Sequence, residues 1–369
     1  MIRYRFSKEL DKEFATTLKH RVNAYFKDNQ ISPNGNLLMK FKSVFALSVY
    51  FIPFAFILFS GTTSIPLLFG CFIVMGFGKT FIGTSVMHDA LHGSYSKNKW
   101  VNSIMGTSAY ILGADPDMWK LQHNVLHHTY TNIEHADEDI APRFVLRFTP
   151  HQPKYWFHRF QHIYAPIFYS LTTIIWITFK DFVKLHDYWK KGLVRSKAAY
   201  RVHLAKIIAV KIGYYAVFLG LPLMIIQAPV WMIICMFISM HLVTGLLLTL
   251  IFQCAHVVPS SQFIMQEEEA IDQNWSVHQI FTTSNYSMKD PLFLWCFGGL
   301  NFQVEHHLFP HICHVHYPEI SKIVQQTTAE YNLPYHSQSN FGAALGIHFS
   351  LLKTLGKKQD LKKLTPSLA

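Results

Sequence analysis

The hydrophobic residues of this chain are gathered into long runs, and that limits its possible folds more than any other property. Residues 41–60, 65–87, 207–226 and 230–252 each approach or exceed the roughly 20 apolar residues that a helix needs to cross a bilayer. The loops 61–64 and 227–229 are too short to do more than join two helices into a hairpin. With 50% hydrophobic and only 15% charged residues, the chain is expected to be an integral membrane protein. Its net charge of +11 then reads as basic loops facing an inner leaflet, not as a nucleic-acid surface.

Three tight groups of histidine sit beside these runs. His88 and His92 follow the second run at i, i+4 spacing. The segment 122–130 carries His123, His127 and His128, and 303–307 carries Gln303, His306 and His307. On an α-helix His123 and His127 share a face, with His128 rotated by roughly 100°. Such a set reaches two neighbouring ions, or one ion from two sides. Seven imidazoles exceed the four ligands of a tetrahedral zinc, so two metal ions are the natural reading. A lone histidine is ordinarily a hydrogen-bonded core residue. His256, at the end of the fourth run, is nevertheless a candidate to supply a missing ligand, and His278, with Asn274 one turn earlier, is another.

A shared metal site also sets the topology. The apolar stretch 163–179 is a further candidate span, but a fifth crossing would put His306 and His307 on the side opposite His88 and His92. It is the shortest of the runs that follow the first hairpin and is expected to lie in the interface. The fold class is therefore an all-α membrane protein, with four transmembrane helices in two hairpins and a helical cap bearing the histidines. Neither hairpin tip carries lysine or arginine, so the cap and both termini are placed in the cytoplasm.

The expected division is a cytoplasmic N-terminal segment 1–40, a membrane and catalytic domain 41–330, and a cytoplasmic C-terminal segment 331–369. Phe14, Leu18, Val22 and Phe26 recur every four residues and suggest an amphipathic helix lying on the membrane surface. Lys79, near the end of its run, is expected to snorkel to the interface. The acidic stretch 134–139 reads as a solvated loop in preference to a support for ligand imidazoles. The basic residues 357–363 read as a membrane-facing contact. The five cysteines form no C-x-x-C pair and look like core residues, and nothing at the N-terminus resembles a cleaved signal peptide.

An all-imidazole, two-metal site beside a bilayer points to redox iron and dioxygen, because zinc does not cycle redox states; copper remains open on ligand type. A buried hydrocarbon chain has no acidic proton and no carbonyl to polarise, so the accessible chemistry is removal of hydrogen from carbon.

The ordered set His88-x-x-x-His92, His123-x-x-x-His127-His128 and Gln303-x-x-His306-His307 resembles the membrane fatty acid desaturases over about residues 40–330. The resemblance implies a di-iron enzyme that uses dioxygen to introduce a double bond into a fatty acyl chain, of acyl-CoA or of an acyl-lipid. Its metal ligands would be His88, His92, His123, His127, His128, His306 and His307. By the family's order His256 completes the set better than His278. Gln303, where other branches carry histidine, resembles the front-end type, which acts between an existing double bond and the carboxyl end. No His-Pro-Gly-Gly haem motif is present, so the resemblance implies a separate electron donor, either a ferredoxin or cytochrome b5. No bound haem or nicotinamide is expected. The alternatives are a hydroxylase built on the same iron site and a histidine-rich metal transporter. A transporter should carry ionisable groups in mid-span, where these runs are mostly apolar.

Overall fold

The computed structural model describes residues 4–141, 144–265 and 270–357. The described residues are overwhelmingly helical and form two compact units. The first contains Leu37–Leu121 and Ile167–Thr249; the second collects the described residues of Ile2–Asn36, Gln122–Pro166 and Leu250–Ala369. Most of the expected basic segment 357–363 lies outside the described residues.

Among the described residues, four helices are long and apolar enough to cross a membrane: Leu37–Phe59, Ile65–His92, Lys197–Ile225 and Val230–His256. A bent pair, Trp156–Ser170 and Thr172–Lys190, passes the same test only when taken together. It contains the stretch 163–179, which is thus not one straight helix. Helices start earlier or run later than the apolar runs because polar ends continue the same hydrogen-bonded ladder.

In the first unit, Tyr50, Phe54, Phe72, Met75, Phe218 and Met240 belong to one apolar core. Gly78 lets two helices meet closely, since a Cβ there would lie 2.6 Å from the backbone nitrogen of Tyr50. Lys79 does not snorkel. It is fully buried, and its Nζ donates to the Tyr214 hydroxyl at 2.7 Å and lies 3.4 Å from both ring nitrogens of His241. His241 in turn is 2.9 Å from the same hydroxyl. An amine of this kind is held in the apolar interior by hydrogen bonds from neighbouring helices, so the spans are less uniformly apolar than their composition suggests. A second buried lysine, Lys211, pairs with Asp181 at 2.6 Å, and Trp176 Nε1 donates to the same carboxylate at 2.9 Å.

The second unit is built from three separate stretches of chain. The stripe Phe14, Leu18, Val22 and Phe26 exists on helix Lys12–Asp28, but protein covers it. It packs in one cluster with Val277, Ile280, Leu308, Ile320 and Val324, and Arg21 reaches Glu330 at 2.7 Å. The amphipathic face expected on the membrane surface is therefore an internal packing face, since a neighbouring helix, Tyr317–Glu330, offers a matching apolar stripe. Two short parallel strand pairs close the unit, one through Arg5 opposite Ala270 and Phe6 opposite Ile271, the other through Asn285 opposite Ser337 and Tyr286 opposite Gln338. Helix Phe341–Leu355 is tied in by His348, whose Nδ1 donates to the Val257 carbonyl at 2.9 Å.

Candidate metal centre

Each histidine segment begins at a local signal that the sequence itself provides. Asp115 caps helix Pro116–Lys120 by accepting from the backbone nitrogens of Asp117 and Met118, with proline in the first turn. That helix runs directly into a π-helical turn, Leu121–His127. The wider turn changes which histidines share a face. The His128 amide donates to the His123 carbonyl at 3.0 Å, the i→i+5 pattern, and Nε2 of His128 comes to 3.2 Å from Nε2 of His123. An α-helix would pair His123 with His127 and leave His128 aside; the π turn gathers all three. A second π-helical turn, Ile82–Met87, stands immediately before His88.

Helix Gln303–Leu308 starts where the Val304 amide donates to Asn285 Oδ1 at 2.9 Å. Gly299 precedes it with φ +64, a conformation that L side chains rarely adopt, and a Cβ there would meet His314 at 2.9 Å. Glu305 turns away from the histidines beside it, and its carboxylate accepts from Asn285 Nδ2 and the Tyr335 hydroxyl, each at 2.8 Å. Burial raises its pKa to about 7 against the opposing effect of those two bonds.

Within the second unit, His127, His256 and His307 offer ligand atoms that all lie within 4.8 Å of one another, and all three residues are buried. His306 and His123 stack with ring centroids 5.9 Å apart, and His128 stacks on His307 at 4.4 Å. In the first unit, the rings of His88 and His92 are 4.6 Å apart, and both stand edge-on to Trp119.

In four of these rings the other nitrogen is occupied. Nδ1 of His127 faces Asp137 at 3.0 Å, Nδ1 of His256 faces the Thr282 carbonyl at 3.4 Å, Nδ1 of His306 faces the Tyr317 hydroxyl at 3.2 Å, and Nδ1 of His307 faces Gln279 Oε1 at 2.8 Å. This is how proteins orient imidazoles for metals, with one nitrogen held and the other presented. Among the described residues, no hydrogen bond of ordinary geometry reaches the buried Nε2 of His127, the Nε2 of His256 or the Oε1 of Gln303, although the His256 and Gln303 side chains lie close enough to interact. Buried polar atoms are normally satisfied, and a bound ion would satisfy these. Gln303 is anchored through Nε2, which donates to the Leu300 carbonyl at 2.8 Å, so its oxygen is the end left for a ligand or a water. The donor set fits iron.

Burial alone would lower the pKa of His127, but the carboxylates of Asp137 and Asp139 outweigh it and raise the value to about 9. Asp137 and Asp139 thus favour the protonated ring. A metal ion bound by His127 would be held at Nε2, with Nδ1–H kept by the carboxylate.

His278 is placed differently from His256. Its Nε2 donates to the Thr131 carbonyl at 2.8 Å, and burial lowers its pKa to about 4. It joins none of the candidate metal groups among the described residues. The acidic stretch is not a solvated loop: Glu134, Asp137 and Glu138 are buried. Glu134 accepts from the Thr149 hydroxyl at 2.6 Å and from Gln152, while Asp137 supports His127. Carboxylates with such partners do not need water. Sequence reasoning missed Gln279 and Tyr317 as partners of His307 and His306. Nothing in either residue's local pattern signals that role.

A model of the fatty acid desaturase family matches residues 63–339. The sn-1 linoleoyl-lipid 6-desaturase of Arthrospira platensis is 34% identical, with 95% of both chains covered. The acyl-lipid (8-3)-desaturase of Physcomitrium patens is 35% identical over 94% of this chain and 72% of its own. Delta(5) fatty acid desaturase A of Dictyostelium discoideum is 32% identical over 95% of this chain and 76% of its own.

Proposed function

The chain belongs to the fatty acid desaturase family, membrane enzymes that introduce a double bond into a fatty acyl chain, and on that premise we propose that it is a di-iron, front-end acyl-lipid desaturase. The iron ligands are His88, His92, His123, His127, His128, His256, His306 and His307, with Gln303 contributing its oxygen directly or through a water. The observation that carries the reading is the buried group of His127, His256 and His307. Front-end regiochemistry is supported by Gln303 in the third histidine segment and by relatives named as 6- and Delta(5) desaturases. An acyl-lipid substrate is supported by the relatives named as lipid desaturases.

Bound iron supplies, with dioxygen, the oxidising power to take hydrogen from carbons that have no acidic proton. The protein's own residues do the rest. Asp137, Thr282, Tyr317 and Gln279 hold Nδ1 of four histidines and leave Nε2 to coordinate. The burial of that cluster keeps water from the reacting centre. Overall, two hydrogens leave adjacent carbons of the acyl chain, and with two electrons and two protons they reduce dioxygen to two waters.

The electrons come from a separate carrier, a ferredoxin or cytochrome b5. A cleft of about 710 Å³ in the second unit suits an acidic partner, since Lys8, Lys12 and Lys19 line it and, among the described residues, a carboxylate beside them is Glu9, 3.1 Å from Lys12. Its floor includes Leu308 and Phe309, which follow His307 in the chain, and Trp275, whose Nε1 donates to the His128 carbonyl at 3.1 Å. Residues 41–330 form the membrane and catalytic portion, with four spans in two hairpins. Both termini and the iron site lie on the cytoplasmic side, as the absence of lysine and arginine from the tips 61–64 and 227–229 supports.

The test is gas chromatography–mass spectrometry of lipids from a host that expresses the protein and is fed chains with one defined double bond. The expected product carries a new double bond on the carboxyl side of the existing one, in the complex-lipid fraction. A new bond on the methyl side would overturn the front-end reading, and an added hydroxyl without a new bond would overturn desaturation by this site.

A further inference from the structure

Gln279 lies on helix Trp275–Thr282 and is fully buried. Its Nε2 is 3.3 Å from the carbonyl oxygen of His128, and its Oε1 is 2.8 Å from Nδ1 of His307. A carbonyl only accepts, so the amide must turn its NH2 toward His128 and its oxygen toward His307. The Thr131 hydroxyl also lies 2.8 Å from Oε1, but it is 2.8 Å from the His127 carbonyl as well and has one proton for two acceptors. An imidazole nitrogen 2.8 Å from an oxygen of fixed orientation must carry hydrogen, since otherwise two lone pairs would face each other. With Nδ1 protonated, Nε2 is the nitrogen through which His307 joins His127 and His256.

We propose that Gln279 is a positioning residue for metal binding. One amide selects the coordinating tautomer of His307 and ties that ring to the backbone of His128. The segments that carry the second and third histidine groups therefore meet the metal as one preformed set. This rests on the two-iron reading above. The two arms of the amide are not equal. The His128 carbonyl keeps a second donor, Trp275 Nε1 at 3.1 Å, if Gln279 is lost. Nδ1–H of His307 also lies 3.2 Å from the Thr131 hydroxyl, whose oxygen can accept while its proton goes to the His127 carbonyl. The oxygen arm is the shorter one and holds a ligand ring directly, so the effect falls on the ion held by His127, His256 and His307.

The test compares Gln279→Glu, which keeps an acceptor for His307, with Gln279→Leu, which removes it. Full-length metal-free protein in detergent is titrated anaerobically with Fe(II) against a competing chelator, and thermal unfolding of the metal-free protein is followed in parallel. Wild type should take up two equivalents. Gln279→Leu should lose affinity for one of them by about 10–100-fold, as outer partners of metal-bound histidines typically do. Gln279→Glu should hold both ions within a few-fold of wild type even though its buried carboxylate lowers thermal stability. Affinities that instead track stability, with Leu equal to or better than Glu, would reduce Gln279 to a packing residue and overturn the proposal. Should Gln279→Leu fail to fold, Gln279→Met removes the same acceptor at closer to native shape and is read the same way. Fewer than two equivalents in the wild type would overturn the two-iron reading itself. Two equivalents bound equally tightly by wild type and all variants would overturn only the role of Gln279.

Discussion

Nδ1 of His127 lies 3.0 Å from Oδ2 of Asp137, ten residues along the chain. The same carboxylate accepts the backbone amides of Asn132 and Asp139, each at 2.9 Å, so it is fixed before it orients the ring. Asp137→Asn keeps the shape and removes the charge. Metal affinity should fall by about 10–100-fold, and activity with it. Iron analysis of the purified variant checks this, and a full iron complement with full turnover would rule it out.

His256 and His278 separate under substitution. His256→Ala removes a member of the His127 group and should abolish activity with loss of bound iron. His278→Gln can still donate to the Thr131 carbonyl and should keep most of its iron. The reverse order, with iron lost from the His278 variant alone, would exchange their roles.

Stability should fall with acidification through His348. Burial lowers its pKa to about 4, against about 6.5 when unfolded. The neutral ring that bonds the Val257 carbonyl therefore contributes stability that is complete above about pH 6.5 and is lost as pH falls toward about 4. At pH 4.5 the loss is on the order of 2 kcal/mol. The thermal midpoint of His348→Gln should change less between pH 7.5 and 4.5 than that of wild type; an unchanged slope would remove His348 from the acid response.

Tyr214→Phe should destabilise the protein more than Lys79→Met does. The first strands a buried amine that has lost its 2.7 Å partner, at a cost of about 1–3 kcal/mol, whereas the second removes the polar group altogether. Adding Lys79→Met to Tyr214→Phe should recover part of the loss. Thermal unfolding in detergent of the three variants decides it, and strictly additive losses would argue against coupling between the pair.

What could be read from the chain alone follows from how local each signal is. Long apolar runs announce helices without any partner, so the hydropathy of 41–60 or 230–252 leads directly to the helices observed. The stripe of Phe14, Leu18, Val22 and Phe26 announces an apolar face but not what covers it, because lipid and helix Tyr317–Glu330 make the same demand on composition. The histidine spacing was legible, but the π turn was not. One i→i+5 bond re-sorts His123, His127 and His128, and no residue in Leu121–His127 marks it. The acidic stretch misled for a related reason: charge predicts exposure only until Thr149, Gln152 and His127 arrive as partners from elsewhere. Lys79 shows the same limit in the spans, where Tyr214 and His241 make an interior position tolerable.

The second unit draws on the beginning, the middle and the end of the chain. His127 leaves the ribosome long before His256, and His307 follows later still, with Gln279 between them. The strand at Arg5–Phe6 must wait for Ala270–Ile271, and Val257 for His348. The group of His127, His256 and His307 cannot be complete until His307 has been made, so an ion that needed all three would load only after that point.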